Sequence, residues 1–170
     1  GWIWKYRKVG YMIKLEKANI EDAKTLLAIQ KEAFAKYAKI YGEFDSNPYN
    51  MDLHRMEFNI KYRYGKYVKI MNDDEIIGGI FAFITDDPGT IKLAQFYLKE
   101  AYQHHGIGKE VLQEYMDNFE NAKLWYADTI MEEEHNVHFY KNLGFEVFDI
   151  EEEHEGLNFV TFVKRNGAKN

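Results

Sequence analysis

The sequence contains no cysteine and only two prolines. The lack of cysteine excludes a disulfide framework, a thiol nucleophile and a zinc site with cysteine ligands. No apolar run reaches the roughly 20 residues that a helix needs to cross a bilayer. Residues 1–8 also lack the sustained apolar stretch of a signal peptide. We therefore expect no membrane partner and, by default, a cytoplasmic location.

An excess of positive charge is also absent. The chain has 22 Lys and Arg against 28 Asp and Glu, which gives a formal net charge of −6. No basic stripe is present, so we expect no nucleic-acid partner. The six histidines form no H-E-x-x-H pattern, so no metal site is predicted. A mildly acidic surface suits a cationic substrate, and it suits plain solubility equally well.

Aromatic residues are abundant, at 16 % of the chain, with 13 Tyr and 12 Phe. Apolar residues make up 46 % of the 170 residues, which is enough for the core of one domain. Packing in the core and at its rim is the first expectation for most of the rings. The alternative, that some of them line a cleft, stays open.

The spacing of apolar residues predicts the order β-α-α-β-β-β-α-β-α-β-β. The first helix follows Asn19, a capping residue with Asp22 as its capping-box-like partner, and stops at Gly42. The Gly78-Gly79 pair weakens one strand and hints at a bulge. The predicted strands are 12–17, 66–71, 75–85, 90–98, 124–130, 145–150 and 157–164. The later helices are 53–64, ended by Gly65, a helix opened by Gly106 and Gly108 whose apolar face runs from Ile107 to Phe119, and 136–143.

This order predicts an α/β (α+β) fold, a single domain with a mixed central sheet of about six to seven strands and about four flanking helices. Residues 1–11 are interpreted as an N-terminal extension, 12–165 as the domain and 166–170 as a C-terminal tail. Repeats, low-complexity tracts and linkers are absent from the sequence.

The segment Gln103–Gly108 lies between a predicted strand and a predicted helix. The first N–H groups of a helix have no partner within it and carry partial positive charge, and both properties favour a bound phosphate. Glycines at positions 106 and 108 let a pyrophosphate approach the main chain without a Cβ in the way. The alternative is that Gly106 and Gly108 are ordinary turn glycines with no bound ligand. The predicted strand before the loop and the predicted helix after it make this alternative weaker.

Residues 93–108 and residues 136–145 carry two motifs that resemble those of the GNAT N-acetyltransferase superfamily. Residues 93–98 (LAQFYL) and 102–108 (YQHHGIG) are similar to its strand ending in Leu/Phe-Tyr-Val followed by Gln/Arg-x-x-Gly-x-Gly/Ala. Residues 136–145 (NVHFYKNLGF) are similar to its later Phe-Tyr-x-x-x-Gly-Phe. The element order also matches from Met12 to about Lys164. The resemblance makes residues 12–165 an acyl-CoA N-acyltransferase domain.

The resemblance implies an enzyme that transfers an acetyl group from acetyl-CoA, its co-substrate, to a primary amine of a small molecule or peptide. The amine attacks directly in a ternary complex, and no metal takes part. The N–H groups from Gln103 to Lys109 would hold the pyrophosphate, and the backbone of Phe96 and Leu98 would pair with the pantetheine arm. The Leu98 N–H would point at the thioester carbonyl, where negative charge develops. The implied cofactor-binding residues are Phe96, Tyr97, Leu98, Gln103, His104, His105, Gly106, Ile107, Gly108, Lys109, Asn136 and Tyr140.

Two positions depart from the family pattern. His105 stands where the family often has Lys or Arg, and an imidazole is only partly charged near neutral pH, so we expect phosphate binding to depend on pH. Glu133 stands where the family often has Asn, seven residues before Tyr140. Asn136 lies four residues before Tyr140 instead, on the same face of the predicted helix.

The candidate catalytic residues are Tyr140, Leu98 and Asp128. Tyr140 is the candidate proton donor to the leaving thiolate, with a packed aromatic beside Phe139 as the alternative. The base is left open, with Asp128 as first choice because it is a charged residue on the strand beside the predicted cleft. The weaker options for the base, each more easily explained as a solvated residue, are Asp45, His54 and Glu57.

The acceptor amine is expected across the first two helices and their loop, where aromatic residues cluster. Such rings can stack on a cation, or they can serve as core and rim. The acceptor's identity is left open, as is a homodimer. The candidate substrate-binding residues are Phe34, Tyr37, Tyr41, Phe44 and Tyr49.

Three other readings compete with the enzyme. The first is a catalytically silent acyl-CoA-binding module of the same fold. The second is a different nucleotide-phosphate protein, which the lack of a Gly-Lys-Ser/Thr ending and of a full Gly-x-Gly-x-x-Gly disfavours. The third is a scaffold that serves interaction alone.

Overall fold

The structure of the protein, a computed structural model, describes residues 4–166. These residues form a single mixed α/β domain with an eight-stranded sheet in the order β1-β2-β3-β4-β5-β6-β8-β7. The strands are β1 Lys5–Lys8, β2 Tyr11–Lys17, β3 Gly65–Asn72, β4 Glu75–Ile84, β5 Thr90–Leu98, β6 Leu124–Ile130, β7 Glu146–His154 and β8 Leu157–Arg165. The helices are α1 Ala23–Tyr41, α2 Leu53–Lys61, α3 Ile107–Asp117 and α4 Glu134–Asn142.

The sheet is mixed, which confirms the predicted fold class. β5 and β6 pair in parallel, with Thr90 opposite Leu124 and Leu93 opposite Ala127. The pairs β1–β2, β2–β3, β6–β8 and β7–β8 are antiparallel. The order of elements predicted from Met12 onward is found, and β1 is added before it.

β1 lies inside residues 1–11, for which periodicity predicts no strand. Its register with β2 places Lys5 opposite Lys14 and Lys8 opposite Tyr11. A four-residue strand with three charged residues carries little hydrophobic signal, and its pairing with β2 holds it in the sheet. The proposed division into extension, domain and tail stays a prediction, and residues 1–3 and 167–170 lie outside the described residues.

The fold has two compact units. The first consists of the described residues of Gly1–Phe81 together with Gln95–Asn118. The predicted capping box is found, because the Asn19 N–H donates to the Asp22 carboxylate at 2.8 Å, but it caps a 3-10 turn, Ile20–Asp22, from which α1 follows directly at Ala23. The helix ends as predicted at Gly42, whose φ of +77° few other residues adopt. The core of this unit includes Ile13, Leu15, Leu26, Met56, Ile70, Ile77, Ile107 and Tyr115.

Two helices of this unit are shorter than predicted. α2 starts after Asp52, which accepts a hydrogen bond from the Arg55 N–H, and it stops at Lys61 because Tyr62 has an extended ψ of 122°. The apolar face predicted up to Tyr64 therefore continues into a turn. α3 ends at Asp117, so Phe119, predicted on its apolar face, lies beyond the helix.

The second unit consists of Ala82–Ala94 together with the described residues of Phe119–Asn170. Phe119 belongs to it and packs edge-on against Trp125, with 4.9 Å between ring centroids. β7 continues four residues past the predicted 145–150. The added segment, Glu151–His154, has no apolar signal, but its pairing with β8 extends as far as His154 opposite Leu157. The core of this unit includes Ile91, Trp125, Ala127, Leu157, Val160 and Phe162.

Candidate active site

The predicted phosphate loop lies in the first unit and opens α3. Gly106 is the residue before the helix, has a φ of +82° and offers no side chain to cap the first N–H groups. His104 also lies in the left-handed region, at φ +64°, which non-glycine residues adopt at a cost. A helix end without a capping side chain, approached by a strained loop, fits a group that brings its own phosphate oxygens.

The loop is tied to the end of β5 by one side chain. The Gln103 amide donates to the Leu98 carbonyl oxygen over 2.9 Å. The structure therefore brings together two residues that the resemblance assigns to cofactor binding. Leu98 is buried, so the hydrogen bond holds main chain rather than a mobile surface group.

β4 approaches the end of β5 closely at Gly78 and Gly79. A Cβ on Gly78 would lie 2.2 Å from the Tyr97 carbonyl oxygen, and one on Gly79 would lie 2.6 Å from the Tyr97 hydroxyl oxygen. The lack of side chains at both glycines therefore lets β4 lie close to β5. From the sequence alone, a close approach of strands and a bulge are equally good reasons for a glycine pair. The bulge itself stays a prediction.

The Tyr97 side chain is occupied by a buried partner. Its hydroxyl oxygen lies 2.5 Å from that of Tyr67, and each residue is 3 % exposed. Burial raises the pKa of both phenols well above the ordinary value, and for Tyr97 the neighbouring Tyr67 raises it further. The Tyr97 hydroxyl is therefore already engaged. If Tyr97 binds the cofactor as predicted, it does so through its main-chain atoms. Tyr67 has no motif around it, and the sequence did not single it out.

The β1–β2 hairpin also reaches the loop. Lys8 donates from Nζ to the His105 carbonyl oxygen over 2.6 Å. The Tyr11 ring packs against the rings of Tyr102 and His105, with centroid distances of 5.6 and 5.8 Å. Sequence reasoning missed these contacts, because they join residues more than 90 positions apart and no local pattern encodes them.

Tyr140 lies in the second unit, on α4, and is 8 % exposed. Its ring packs against Phe139, Phe145 and Phe162 at centroid distances of 5.3 to 5.6 Å. Asn136 lies on the first turn of the same helix, and Glu133 precedes that helix. The aromatic neighbours fix the ring, which suits both a packing residue and a positioned proton donor, so its role stays a prediction.

Asp128 lies on β6 with an exposed side chain. Thr161 donates to one carboxylate oxygen over 2.8 Å, and the Lys92 ammonium donates to the other at short range. A carboxylate held by a cation and a hydroxyl is engaged before any amine arrives. Its role as base is not tested by these contacts, and the same holds for Glu57, Asp45 and His54, of which the last two are exposed.

Three of the five candidate acceptor-binding aromatics form a row on α1. The rings of Phe34 and Tyr37 lie 5.8 Å apart, and those of Tyr37 and Tyr41 lie 6.2 Å apart. Phe44 is buried, and the exposed Tyr49 has the Lys31 ammonium 5.1 Å from its ring centroid. Tyr37 is also buried, so the half-buried Phe34 and Tyr41 present more surface to a ligand.

Residues 4–166 hold no group of three or more His, Asp or Glu side chains arranged to bind a metal ion. Among the helices of the same residues, none combines the length and apolarity needed to span a bilayer.

Solved structures share this fold. That of the ribosomal-protein-S18-alanine N-acetyltransferase from Escherichia coli matches with a TM-score of 0.74 and 15 % identity over 94 % of this chain and 97 % of that chain. The PaiA N-acetyltransferase from Thermoplasma acidophilum, in complex with coenzyme A, matches with a TM-score of 0.71 and 23 % identity over 90 % and 98 %. Spermidine N-acetyltransferase from Vibrio cholerae, in complex with CoA and spermine, matches with a TM-score of 0.72 and 13 % identity over 90 % and 95 %. At these identities the likeness shows the shared fold.

The family is shown by a separate comparison. The profile of the acetyltransferase (GNAT) family matches residues 23–145, which is well over half of the chain. The matched segment contains the predicted phosphate loop that opens α3, and it contains Tyr140 and the Gly144-Phe145 that follows α4. The chain belongs to the acetyltransferase (GNAT) family.

Proposed function

We propose that this protein is an acetyl-CoA-dependent N-acetyltransferase that acetylates a primary amine of a small molecule or peptide. The observation that carries the proposal is the loop from Gln103 to Gly106. It opens α3 with two left-handed residues and no capping side chain, and Gln103 ties it to the end of β5. Family membership supports the reaction class, and the proposed role of the loop is to bind the phosphate groups of the co-substrate.

The main chain of the first unit provides the proposed cofactor contacts. N–H groups from Gln103 to Lys109 hold the pyrophosphate, as helix N-termini do for phosphates in general. The backbone of Phe96 and Leu98 pairs with the pantetheine arm as an added strand would. These residues extend beyond the register that β5 shares with β6, which ends at Leu93. Bound acetyl-CoA supplies an activated thioester.

The transfer proceeds by direct attack in a ternary complex. The amine nitrogen forms a bond to the acetyl carbon while the carbon–sulfur bond breaks. The Leu98 N–H donates to the thioester oxygen as charge develops on it. The Tyr140 hydroxyl gives its proton to the leaving thiolate, and the proton of the amine passes to a base, for which we propose Asp128 acting through water.

The proposed acceptor is cationic in its resting form. The half-buried rings of Phe34 and Tyr41 on α1 are the proposed contacts for an ammonium group, and the chain's net charge of −6 favours its approach. The rings of Tyr37 and Tyr49 already have the ammonium groups of Lys36 and Lys31 within 5.5 Å and 5.1 Å of their centroids. The Vibrio cholerae relative is named for spermidine and the Escherichia coli relative for an alanine of a ribosomal protein. For this chain we propose the shared chemistry, an amine acceptor in the cytoplasm, with no nucleic acid or membrane as partner.

One observation favours the alternative of a silent acyl-CoA-binding module. Asp128, the first choice for the base, is already engaged by Lys92 and Thr161. If no other group takes up the proton of the amine, the fold would bind CoA without transferring the acetyl group.

Calorimetry with CoA and acetyl-CoA, followed by a thiol assay for CoA release with a panel of amines, tests both readings. The panel should contain spermidine, a peptide with an N-terminal alanine and a peptide with an internal lysine. Binding together with amine-dependent release of CoA supports the enzyme. Binding without release for any amine supports the silent module, and the absence of CoA binding contradicts both.

A further inference from the structure

Lys8 brings a positive charge to the phosphate loop from outside it. Its Nζ donates to the His105 carbonyl oxygen over 2.6 Å and lies 3.6 Å from the position that a Cβ would take on Gly106. An ammonium has three N–H donors, so this hydrogen bond leaves two of them for another acceptor. The ammonium is thus fixed beside the first turn of α3.

This position is unfavourable for a cation in the absence of an anion. The N-terminus of a helix carries partial positive charge, and a lysine side chain there is repelled by it. Lys8 forms no ion pair with any carboxylate among residues 4–166. The loop residues 103–106 themselves contain no lysine or arginine. An anion bound between the ammonium and the helix would be attracted by both the Lys8 ammonium and the N-terminus of α3, and it would offset the repulsion between them.

The hairpin that carries Lys8 is held against the loop by further contacts. Lys8 is opposite Tyr11 in the β1–β2 register, and the Tyr11 ring packs on Tyr102 and His105. The Tyr102 hydroxyl in turn donates to Glu75 over 3.0 Å and accepts from Asn72 over 3.1 Å. The turn end of the hairpin is therefore held against the loop through Tyr11, the cross-strand partner of Lys8.

We propose that Lys8 binds the pyrophosphate of CoA, so that β1 supplies the fixed cation of the cofactor site. The ammonium spans from the His105 carbonyl to a phosphate oxygen, opposite the N–H groups of α3. The inference rests on the proposed function and adds to it a binding residue from outside both sequence motifs.

Calorimetry with Lys8→Met and Lys8→Arg, using CoA and 3′-dephospho-CoA as probes, tests the proposal. Lys8→Met should weaken both probes about tenfold, because a charge-assisted hydrogen bond to phosphate is lost, while Lys8→Arg should stay within about threefold of the wild type. The loss should shrink as salt is raised. Lys5→Met is the matched control, since residue 5 lies on the same strand and faces the opposite side from residue 8. It should leave both affinities unchanged.

Wild-type protein that binds CoA, together with Lys8→Met that binds it equally well, would overturn the role of Lys8 and leave the proposed function standing. An equal loss in Lys5→Met would also overturn it, because it would show a general charge effect. A loss confined to CoA, with 3′-dephospho-CoA unaffected, would move the contact to the 3′-phosphate and reject the pyrophosphate. Failure of wild-type protein to bind CoA would reject the proposed function itself. Circular dichroism and thermal unfolding identify a misfolded variant. If Lys8→Met misfolds, Lys8→Gln, which also removes the charge, is measured in its place against the same expected loss.

Discussion

The side-chain amide of Gln103 donates to the carbonyl oxygen of Leu98 over 2.9 Å. This hydrogen bond joins the loop proposed to hold pyrophosphate to the strand end proposed to hold the thioester. The two parts of the proposed cofactor site in the first unit are therefore set relative to each other by one side chain.

Replacing Gln103 with Met keeps the length of the side chain and removes the donor. We expect CoA to bind about fivefold more weakly, since a hydrogen bond of this kind contributes about 1 kcal/mol. Calorimetry measures the change. Gln113→Met is the control, because Gln113 donates to Asp117 on the exposed surface of α3. Equal affinity of Gln103→Met and wild type would show that the loop holds its position without this hydrogen bond.

Gly78→Ala should destabilise the fold by about 1–3 kcal/mol, the usual cost of overpacking. The added Cβ would meet the main chain of β5, with the Tyr97 carbonyl oxygen at 2.2 Å and the Leu98 Cα at 3.1 Å, and backbone cannot turn aside. Urea unfolding measures the cost. Gly89→Ala is matched to it, because its Cβ would meet the flexible Lys123 side chain at 3.4 Å. A Gly78→Ala protein as stable as Gly89→Ala would show that β4 and β5 are farther apart.

Tyr140→Phe tests the enzyme against the silent module. The ring and its packing on Phe139, Phe145 and Phe162 remain, and the hydroxyl is lost. We expect kcat to fall about 10²–10⁴-fold with little change in CoA affinity, because a placed acid acts in the transition state. Steady-state kinetics and calorimetry separate the two quantities.

The control for Tyr140→Phe is Tyr126→Phe, on β6 of the same unit, which should keep wild-type kcat. A wild-type kcat in Tyr140→Phe would show that water or another residue, not Tyr140, protonates the leaving thiolate of CoA. A collapse of CoA affinity would instead make Tyr140 a binding residue.

The buried pair of Tyr67 and Tyr97 predicts a loss of stability in alkali. Burial raises the pKa of both phenols, so the folded protein keeps protons that the unfolded chain releases near pH 10. The stabilisation that the raised pKa values give the folded protein is complete below about pH 10. It is lost as the pH rises toward those raised pKa values, because the unfolded state then binds fewer protons than the folded state. Thermal unfolding between about pH 8 and 11 should show this decline, and the Tyr67→Phe/Tyr97→Phe protein should show a smaller one.

The single variant Tyr97→Phe gives an independent check on the same pair. It leaves the Tyr67 hydroxyl buried without its partner, which costs about 1–3 kcal/mol, whereas removing both hydroxyls costs less. A double variant with a cost equal to the sum of the two single variants would show that the two hydroxyls do not interact.

The fold class and most elements follow from local patterns in the sequence. The Asn19–Asp22 capping box and the stop at Gly42 are found as predicted, because they depend on backbone preferences over a few residues. The loop before α3 is equally local, with glycine at the left-handed position 106. Tyr140 was singled out by the motif of residues 136–145, and the structure adds the three phenylalanine rings that pack against its ring.

Tertiary pairing decided the features that no local pattern predicts. β1 lacks an apolar periodicity of its own, and it becomes a strand because β2 offers a free edge to hydrogen bond. The Tyr67–Tyr97 pair and the closeness of Gly78 to β5 depend on which strands are neighbours and in which register. The Lys8–His105 hydrogen bond joins residues 97 positions apart. The sequence by itself determined where the loop proposed to hold pyrophosphate and its helix lie, because one turn of backbone suffices to build them. Strand order decided which side chains surround that loop, because residues distant in sequence become neighbours only when the sheet forms.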